Sequence, residues 1–127
     1  MTLIGAGAVG AFYAAHMARA GSVISLATRH PQDYASPIHI DSVDGPMTLS
    51  FDRVVPLGIP CDSDVVVLAT KAWPGIQPVD LVAPYMRHHT VLMVIQNGYG
   101  VEAPLVSAYH QPILRCLAFL CANRVHK

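Results

Sequence analysis

A glycine-rich run near the amino terminus has residue types and a spacing that could do chemistry. It reads GAGAVG, which is a GxGxxG pattern. Glycines in such a turn let the main chain approach a phosphate closely, and the N–H groups of the following helix donate hydrogen bonds to that phosphate. An apolar run precedes the turn and a helix-like segment follows it, as a nucleotide-binding turn requires, although a glycine turn without a ligand is the alternative. We predict that six residues bind the pyrophosphate of a dinucleotide: Gly5, Ala6, Gly7, Ala8, Val9 and Gly10.

A second position bears on which dinucleotide is bound. Folds that prefer NAD place Asp or Glu about twenty residues past the turn, where it accepts hydrogen bonds from the ribose 2′-hydroxyl. Thr28 and Arg29 take that place here, and Arg29 lies nineteen residues after Gly10. A guanidinium binds phosphate in bidentate fashion, so this position favours NADP(H), with the Thr28 hydroxyl as a further contact. An ordinary solvated arginine at a loop entrance is the alternative.

Two further polar stretches each follow a run of buried-strand character. Thr70 and Lys71 come after residues 65–68, and Asn97 comes after residues 91–95. Ligands of open α/β sheets bind outside the carboxyl ends of the strands, so we expect both stretches at one crevice. Lys71 supplies a cation and Asn97 an amide that both donates and accepts, which suits the nicotinamide-ribose end and a polar substrate. Taken singly, a solvated lysine and a plain Asn-Gly turn are the alternatives.

The elements that must position these residues follow from the apolar pattern. The first two strands and their helix have the size of a βαβ unit, and Asp44-Gly45 between two short alternating runs is typical of a hairpin turn. The sequence therefore predicts an α/β fold: a Rossmann-type, doubly wound, mainly parallel sheet with helices on both faces. Strands are expected at residues 2–4, 23–27, 38–40, 47–49, 65–68, 91–95 and 113–120, and helices at 9–20, 77–86 and 101–109.

Length and composition narrow the classes of function. The 127 residues suffice for one domain, 1–127, but not for a separate substrate domain. Zero net charge argues against nucleic acid and anionic membranes as partners, and the apolar runs are too short to span a bilayer. We therefore expect a cytoplasmic protein. The three cysteines are expected to be free, buried thiols, and the adjacent His88 and His89 do not have the spacing of a metal site.

Five stretches together resemble the N-terminal half of the ketopantoate reductase (2-dehydropantoate 2-reductase) family. They are GAGAVG, ATR, TKAW, QNGYG with Glu102 behind it, and CANRV, and the likeness covers essentially the whole chain in order. The resemblance implies NADPH as cofactor and reduction of the ketone of 2-dehydropantoate to pantoate, on the way to pantothenate. It implies that Arg29 binds the 2′-phosphate, Lys71 lies near the nicotinamide end, Asn97 touches cofactor and substrate, and Ala122 closes over the cofactor.

The sequence also departs from the family pattern. Pro74 stands where the family usually has glutamine, and the last apolar run is less rich in Gly and Thr. The family's catalytic lysine and substrate-binding acid belong to a C-terminal helical domain that is absent from this sequence. We therefore assign no catalytic residue and expect the chain alone to be inactive. Expected partners are a 2-keto acid and a C-terminal helical domain or separate chain; a homo-oligomer and a free-standing NADP(H)-binding module both stay open.

Overall fold

The computed structural model describes residues 1–72 and 74–125, so Trp73 of the TKAW stretch lies outside it. Eight strands and three α-helices follow one another along the described chain. In chain order the elements are β1 (Thr2–Ile4), α1 (Ala8–Arg19), β2 (Ser25–Thr28), β3 (Ile38–Ile40), β4 (Met47–Leu49), β5 (Arg53–Pro56), β6 (Val65–Leu68), α2 (Pro78–Val82), β7 (Val91–Val94), α3 (Ala103–Ala108) and β8 (Ile113–Arg115).

Six strands form one parallel sheet with the order β5-β2-β1-β6-β7-β8. Its two central strands, β1 and β6, are covered on both faces and, apart from Thr2, contain only Leu, Ile and Val; Leu3, Val66 and Leu68 are fully buried. The register pairs Ile4 with Ala27 on one side and with Leu68 on the other, so neighbouring strands end at the same level. All their carboxyl ends therefore meet along one edge of the sheet.

Each face of the sheet has its own hydrophobic core, because successive residues of a strand point to opposite faces. On one face, α1 and the antiparallel β3–β4 hairpin pack over Leu3, Leu26 and Val67. On the other face, α2, the 3-10 turn Ala83–Tyr85 that continues it, and α3 pack over residues that include Ile4 and Leu68. The prediction of a doubly wound sheet with helices on both faces is confirmed, as is the hairpin.

Three features differ from the sequence-based prediction. Strand β5 was not predicted, because only Val54 and Val55 in it are apolar; it is an edge strand, where an exposed Pro56 is tolerated. The last strand ends at Arg115, and residues 116–125 have no regular secondary structure. The cysteines are free, but only Cys61 is buried; Cys116 is half-buried and Cys121 is exposed, so the prediction of buried thiols is wrong for these two.

Candidate functional site: a crevice at the carboxyl edge of the sheet

The candidate site lies where the strand order reverses, between β1 and β6. The chain leaves β1 towards one face of the sheet and leaves β6 towards the other, which opens a crevice at the carboxyl edge. A cavity of about 620 Å³ occupies this crevice. Six of the residues singled out from the sequence line it: Gly7, Ala8, Val9, Lys71, Asn97 and Ala122.

Two glycines of the turn are required by packing. Gly5 has a φ of +99°, and a Cβ on it would lie 2.7 Å from the main-chain nitrogen of Thr70. A Cβ on Gly10 would lie 2.1 Å from the carbonyl oxygen of Gly5. The turn therefore packs against both the start of α1 and the segment that follows β6, without room for a side chain at either position.

The third glycine of the turn faces open space. A Cβ on Gly7 would have no heavy atom within 4 Å, and Gly7 lines the cavity. It is also the N-cap of the 12-residue helix α1, which has no side-chain cap and no acidic residue in its first turn. The first N–H groups of α1 therefore have no side-chain acceptor, and their partial positive charge is not neutralised locally. These properties fit the phosphate group of a ligand.

Thr70 connects two loops of the site but does not line the main cavity. The buried Gln96 donates from Nε2 to the Thr70 carbonyl oxygen over 2.7 Å and to its Oγ1 over 3.2 Å. Thr70 lines a smaller adjoining cavity of about 130 Å³, whose lining also includes Lys71 and Gln96. The sequence predicted Thr70 as a cofactor-binding residue. The structure shows that Thr70 also contacts Gln96, a residue for which the sequence analysis predicted no role.

The side chain of Asn97 already makes two hydrogen bonds within the protein. Its Nδ2 donates to the carbonyl oxygen of Ala118 over 3.3 Å, and the N–H of Ala118 donates to its Oδ1 over 3.2 Å. A primary amide has two N–H donors and two acceptor lone pairs. One donor and one lone pair of Asn97 therefore stay available to a ligand while the side chain is held in place.

Arg115 holds the loop that carries Asn97. Its guanidinium forms an ion pair with Glu102 and donates to the carbonyl oxygen of Gly98. Both charged side chains are partly buried, and Glu102 is the N-cap residue of α3. Sequence reasoning noted Glu102 only through the family likeness and gave Arg115 no role; no motif identifies such a pair before the strand order is known.

Arg29 does not line the cavity. It is exposed and follows β2 directly, at the same edge of the sheet as the glycine turn, because the register pairs Ile4 with Ala27. The Thr28 hydroxyl accepts a hydrogen bond from the His30 N–H over 3.3 Å. The structure therefore places Arg29 beside the crevice rather than in it.

The cavity is lined by two cationic side chains, Lys71 and Arg124, and by no carboxylate among the residues that the structure describes. Sequence reasoning missed Arg124, which belongs to the CANRV stretch. Within the same described part there is no cluster of three metal-ligating side chains, and no helix is long and apolar enough to cross a membrane. The arrangement suits an elongated anion whose phosphates meet the start of α1.

The strand order and the crevice together define an α/β domain of the Rossmann type. Starting from β5, the chain order along the sheet is third, second, first, fourth, fifth and sixth strand, which is the doubly wound order of dinucleotide-binding folds. The family model described as "Ketopantoate reductase PanE/ApbA" matches residues 1–127. The chain belongs to this ketopantoate reductase family.

Individual relatives agree with this assignment. The chain is 29% identical to the 2-dehydropantoate 2-reductase of Nostoc sp., over 97% of this chain and 40% of that protein. The crystal structure of 2-dehydropantoate 2-reductase from Methylococcus capsulatus superposes with a TM-score of 0.88 at 27% identity, over 98% of this chain and 42% of that one. The crystal structure of 2-dehydropantoate 2-reductase from Geobacter metallireducens superposes with a TM-score of 0.83 at 25% identity, over 99% of this chain and 44% of that one. The chain thus spans about two fifths of the length of these relatives.

Proposed function

We propose that this chain is the cofactor-binding part of an NADPH-dependent reductase, with residues 1–127 as one dinucleotide-binding domain. Its reaction is hydride transfer to the ketone of 2-dehydropantoate, giving pantoate, or to the ketone of a related 2-keto acid. One observation carries the proposal: the cavity at the switch point joins the uncapped start of α1 to Lys71 and Asn97 without a lining carboxylate among the described residues. Family membership supports the class of reaction.

The residues of the chain bind and orient the cofactor in this proposal. The turn from Gly5 to Gly10 holds the diphosphate through main-chain N–H groups, and Gly7 leaves the space for it. Lys71 and the free donor and acceptor of Asn97 contact the nicotinamide-ribose end, where Asn97 also meets the substrate carbonyl. Ala122 closes over the cofactor, and Thr70 supports this end through Gln96.

The cofactor, when bound, supplies the hydride, and the protein supplies position and electrostatics. Reduction of a ketone also needs a proton on the oxygen. We assign that proton to a general acid outside this chain, in the part of the family's proteins that the chain does not span. The isolated chain is accordingly expected to bind the cofactor without turning over a 2-keto acid.

The preference for NADPH rests on Arg29. It stands at the carboxyl end of β2, where NAD-selective folds have an acid, and it is exposed and free to approach a 2′-phosphate. Arg29→Gln should weaken NADPH by about tenfold or more through loss of a charge-assisted contact. Affinity for NADH should change little.

Calorimetric titrations of both nucleotides at one salt concentration test this assignment. Arg19→Gln is the matched control, because Arg19 is an exposed arginine in the last turn of α1, at the far end of that helix from the cavity. Equal weakening of NADPH and NADH by Arg29→Gln would show that the arginine does not read the 2′-phosphate.

A further inference from the structure

The segment 116–125 crosses the mouth of the crevice. Ala118 is hydrogen-bonded to Asn97 beyond the end of β7, and Arg124 contacts Tyr34, which follows β2. Between these strands the sheet has β6 and β1, so the segment passes over the point where the strand order reverses. Its residues Ala118, Ala122, Asn123 and Arg124 line the cavity. We call residues 116–125 the strap.

Arg124 is held at the far end of the strap by weak contacts. Its guanidinium carbon lies 5.4 Å from the centroid of the Tyr34 ring, and its Nη1 donates to the Tyr34 hydroxyl over 3.2 Å. The half-buried Tyr34 ring packs edge-on against Phe51, with 6.0 Å between centroids, which supports it on one side. No ion pair to Arg124 occurs within residues 1–72 and 74–125. Among the described residues, no carboxylate neutralises the guanidinium, and most of its N–H donors are available to a ligand.

We infer that Arg124 is a phosphate-binding residue of the crevice, which binds the diphosphate of a dinucleotide from the side opposite the start of α1. This inference rests on the proposed function. Arg124 lines the same cavity as Gly7, Ala8 and Val9, whereas Arg29 does not, and we therefore assign the two arginines to different phosphates. A guanidinium can donate two parallel hydrogen bonds to a phosphate. The ring and hydroxyl of Tyr34 do not offer Arg124 such a pair of acceptors.

The strap gains a role from this contact. With Arg124 on the diphosphate, the strap lies over the cofactor between its anchors at Asn97 and Tyr34. The contact with Tyr34 holds the guanidinium near the diphosphate position before a ligand arrives. A residue that binds the diphosphate strengthens NADPH, NADH and ADP-ribose alike, since all three contain that group.

The test compares Arg124→Gln with Arg29→Gln by calorimetry on the full chain at one salt concentration. Arg124→Gln should weaken NADPH, NADH and ADP-ribose by a similar factor of about ten, equivalent to about 1.4 kcal/mol. Arg29→Gln should weaken NADPH alone, and Arg19→Gln should change none of the three. A loss confined to NADPH on Arg124→Gln would overturn the assignment to the diphosphate, and so would unchanged affinities.

A second variant separates phosphate binding from a merely structural role of Arg124. Tyr34→Leu removes both the ring and the hydroxyl that hold Arg124, while it leaves the guanidinium free to bind. We expect this variant to change the affinity for ADP-ribose by less than threefold, and the effect of Arg124→Gln to persist in the double variant. If Tyr34→Leu weakens binding as much as Arg124→Gln does, and the two losses do not add, Arg124 only fastens the strap and the inference fails.

The same titrations separate this inference from the proposed function. If the unaltered chain binds none of the three nucleotides, the proposed function fails and the inference fails with it. If the unaltered chain binds all three and Arg124→Gln binds them equally well, the inference alone fails.

Discussion

The same substitution at two glycines of the turn should have very different effects on stability. Gly7→Ser adds a side chain where a Cβ has no heavy atom within 4 Å, and the residue is the N-cap of α1 with extended backbone angles of −68° and 178°. Serine is a preferred N-cap residue because its hydroxyl accepts a hydrogen bond from the first turn. Gly10→Ser instead places a Cβ 2.1 Å from the Gly5 carbonyl oxygen.

The magnitudes follow from these distances. Gly7→Ser should leave the free energy of unfolding unchanged or raise it by a few tenths of a kcal/mol, since glycine itself is an acceptable N-cap. Gly10→Ser forces the start of α1 away from the turn, and overpacking of this kind costs about 1–3 kcal/mol or more, against a gain in helix propensity of at most about 1 kcal/mol. A net loss of about 2 kcal/mol would lower Tm by roughly 6–12 °C in a chain of this size.

Thermal unfolding followed by circular dichroism gives the stabilities, and calorimetry with NADPH gives the binding. Gly7→Ser should fold normally and lose NADPH binding, because its side chain enters the phosphate space and its hydroxyl occupies an N–H group of α1. Gly10→Ser should be destabilised whether or not NADPH is present. A Gly7→Ser variant that binds NADPH like the unaltered chain would refute the placement of the diphosphate, and a Gly10→Ser variant of unchanged Tm would refute the packing argument.

Three further perturbations test other parts of the structure. A double-mutant cycle of Glu102→Gln and Arg115→Met in urea should give a coupling energy of about 0.5–3 kcal/mol, and zero coupling would contradict the ion pair. His16→Leu should raise the free energy of unfolding by about 1 kcal/mol, because Nε2 of His16 is buried without a hydrogen-bond partner among the described residues; a loss would count against this reading. Burial raises the pKa of Tyr85 above its ordinary 10.0. The unfolded chain therefore loses the Tyr85 proton at a lower pH than the folded chain does. The contribution of this hydroxyl to the free energy of unfolding is complete below pH 10 and is lost as the pH rises through the folded-state pKa. Tyr85→Phe should flatten this alkaline decline in urea titrations.

Much of the fold could be predicted from the sequence, because its central strands are short apolar runs with clear turn signals between them. Strands β1, β6 and β7 are such apolar runs, and a glycine turn follows β1. The segments after β6 and β7 bring Lys71 and Asn97 to one cavity. The turn signal Asp44-Gly45 likewise predicted the hairpin of β3 and β4. Local pattern was sufficient wherever a strand is buried on both faces.

The edge strand β5, the end of β8 and the long-range contacts could not be predicted in this way. Strand β5 has two apolar residues between Arg53 and Pro56, so only its pairing with β2 identifies it. The strap has an apolar sequence, but its only main-chain hydrogen bond to the sheet among the described residues is from the Cys116 N–H to the Val94 carbonyl oxygen, and its apolar residues therefore gave a false strand signal. Arg124 reaches Tyr34 across ninety positions of sequence, and no spacing rule indicates such a contact.

The most direct test of the proposed function is a side-by-side calorimetric titration of the unaltered chain with NADPH and NADH at fixed salt. We predict one site per chain with a clear preference for NADPH, because the uncapped start of α1 and Lys71 meet in one cavity and Arg29 stands beside it. Absence of binding by either nucleotide would contradict the proposal that this chain is a preformed cofactor-binding domain.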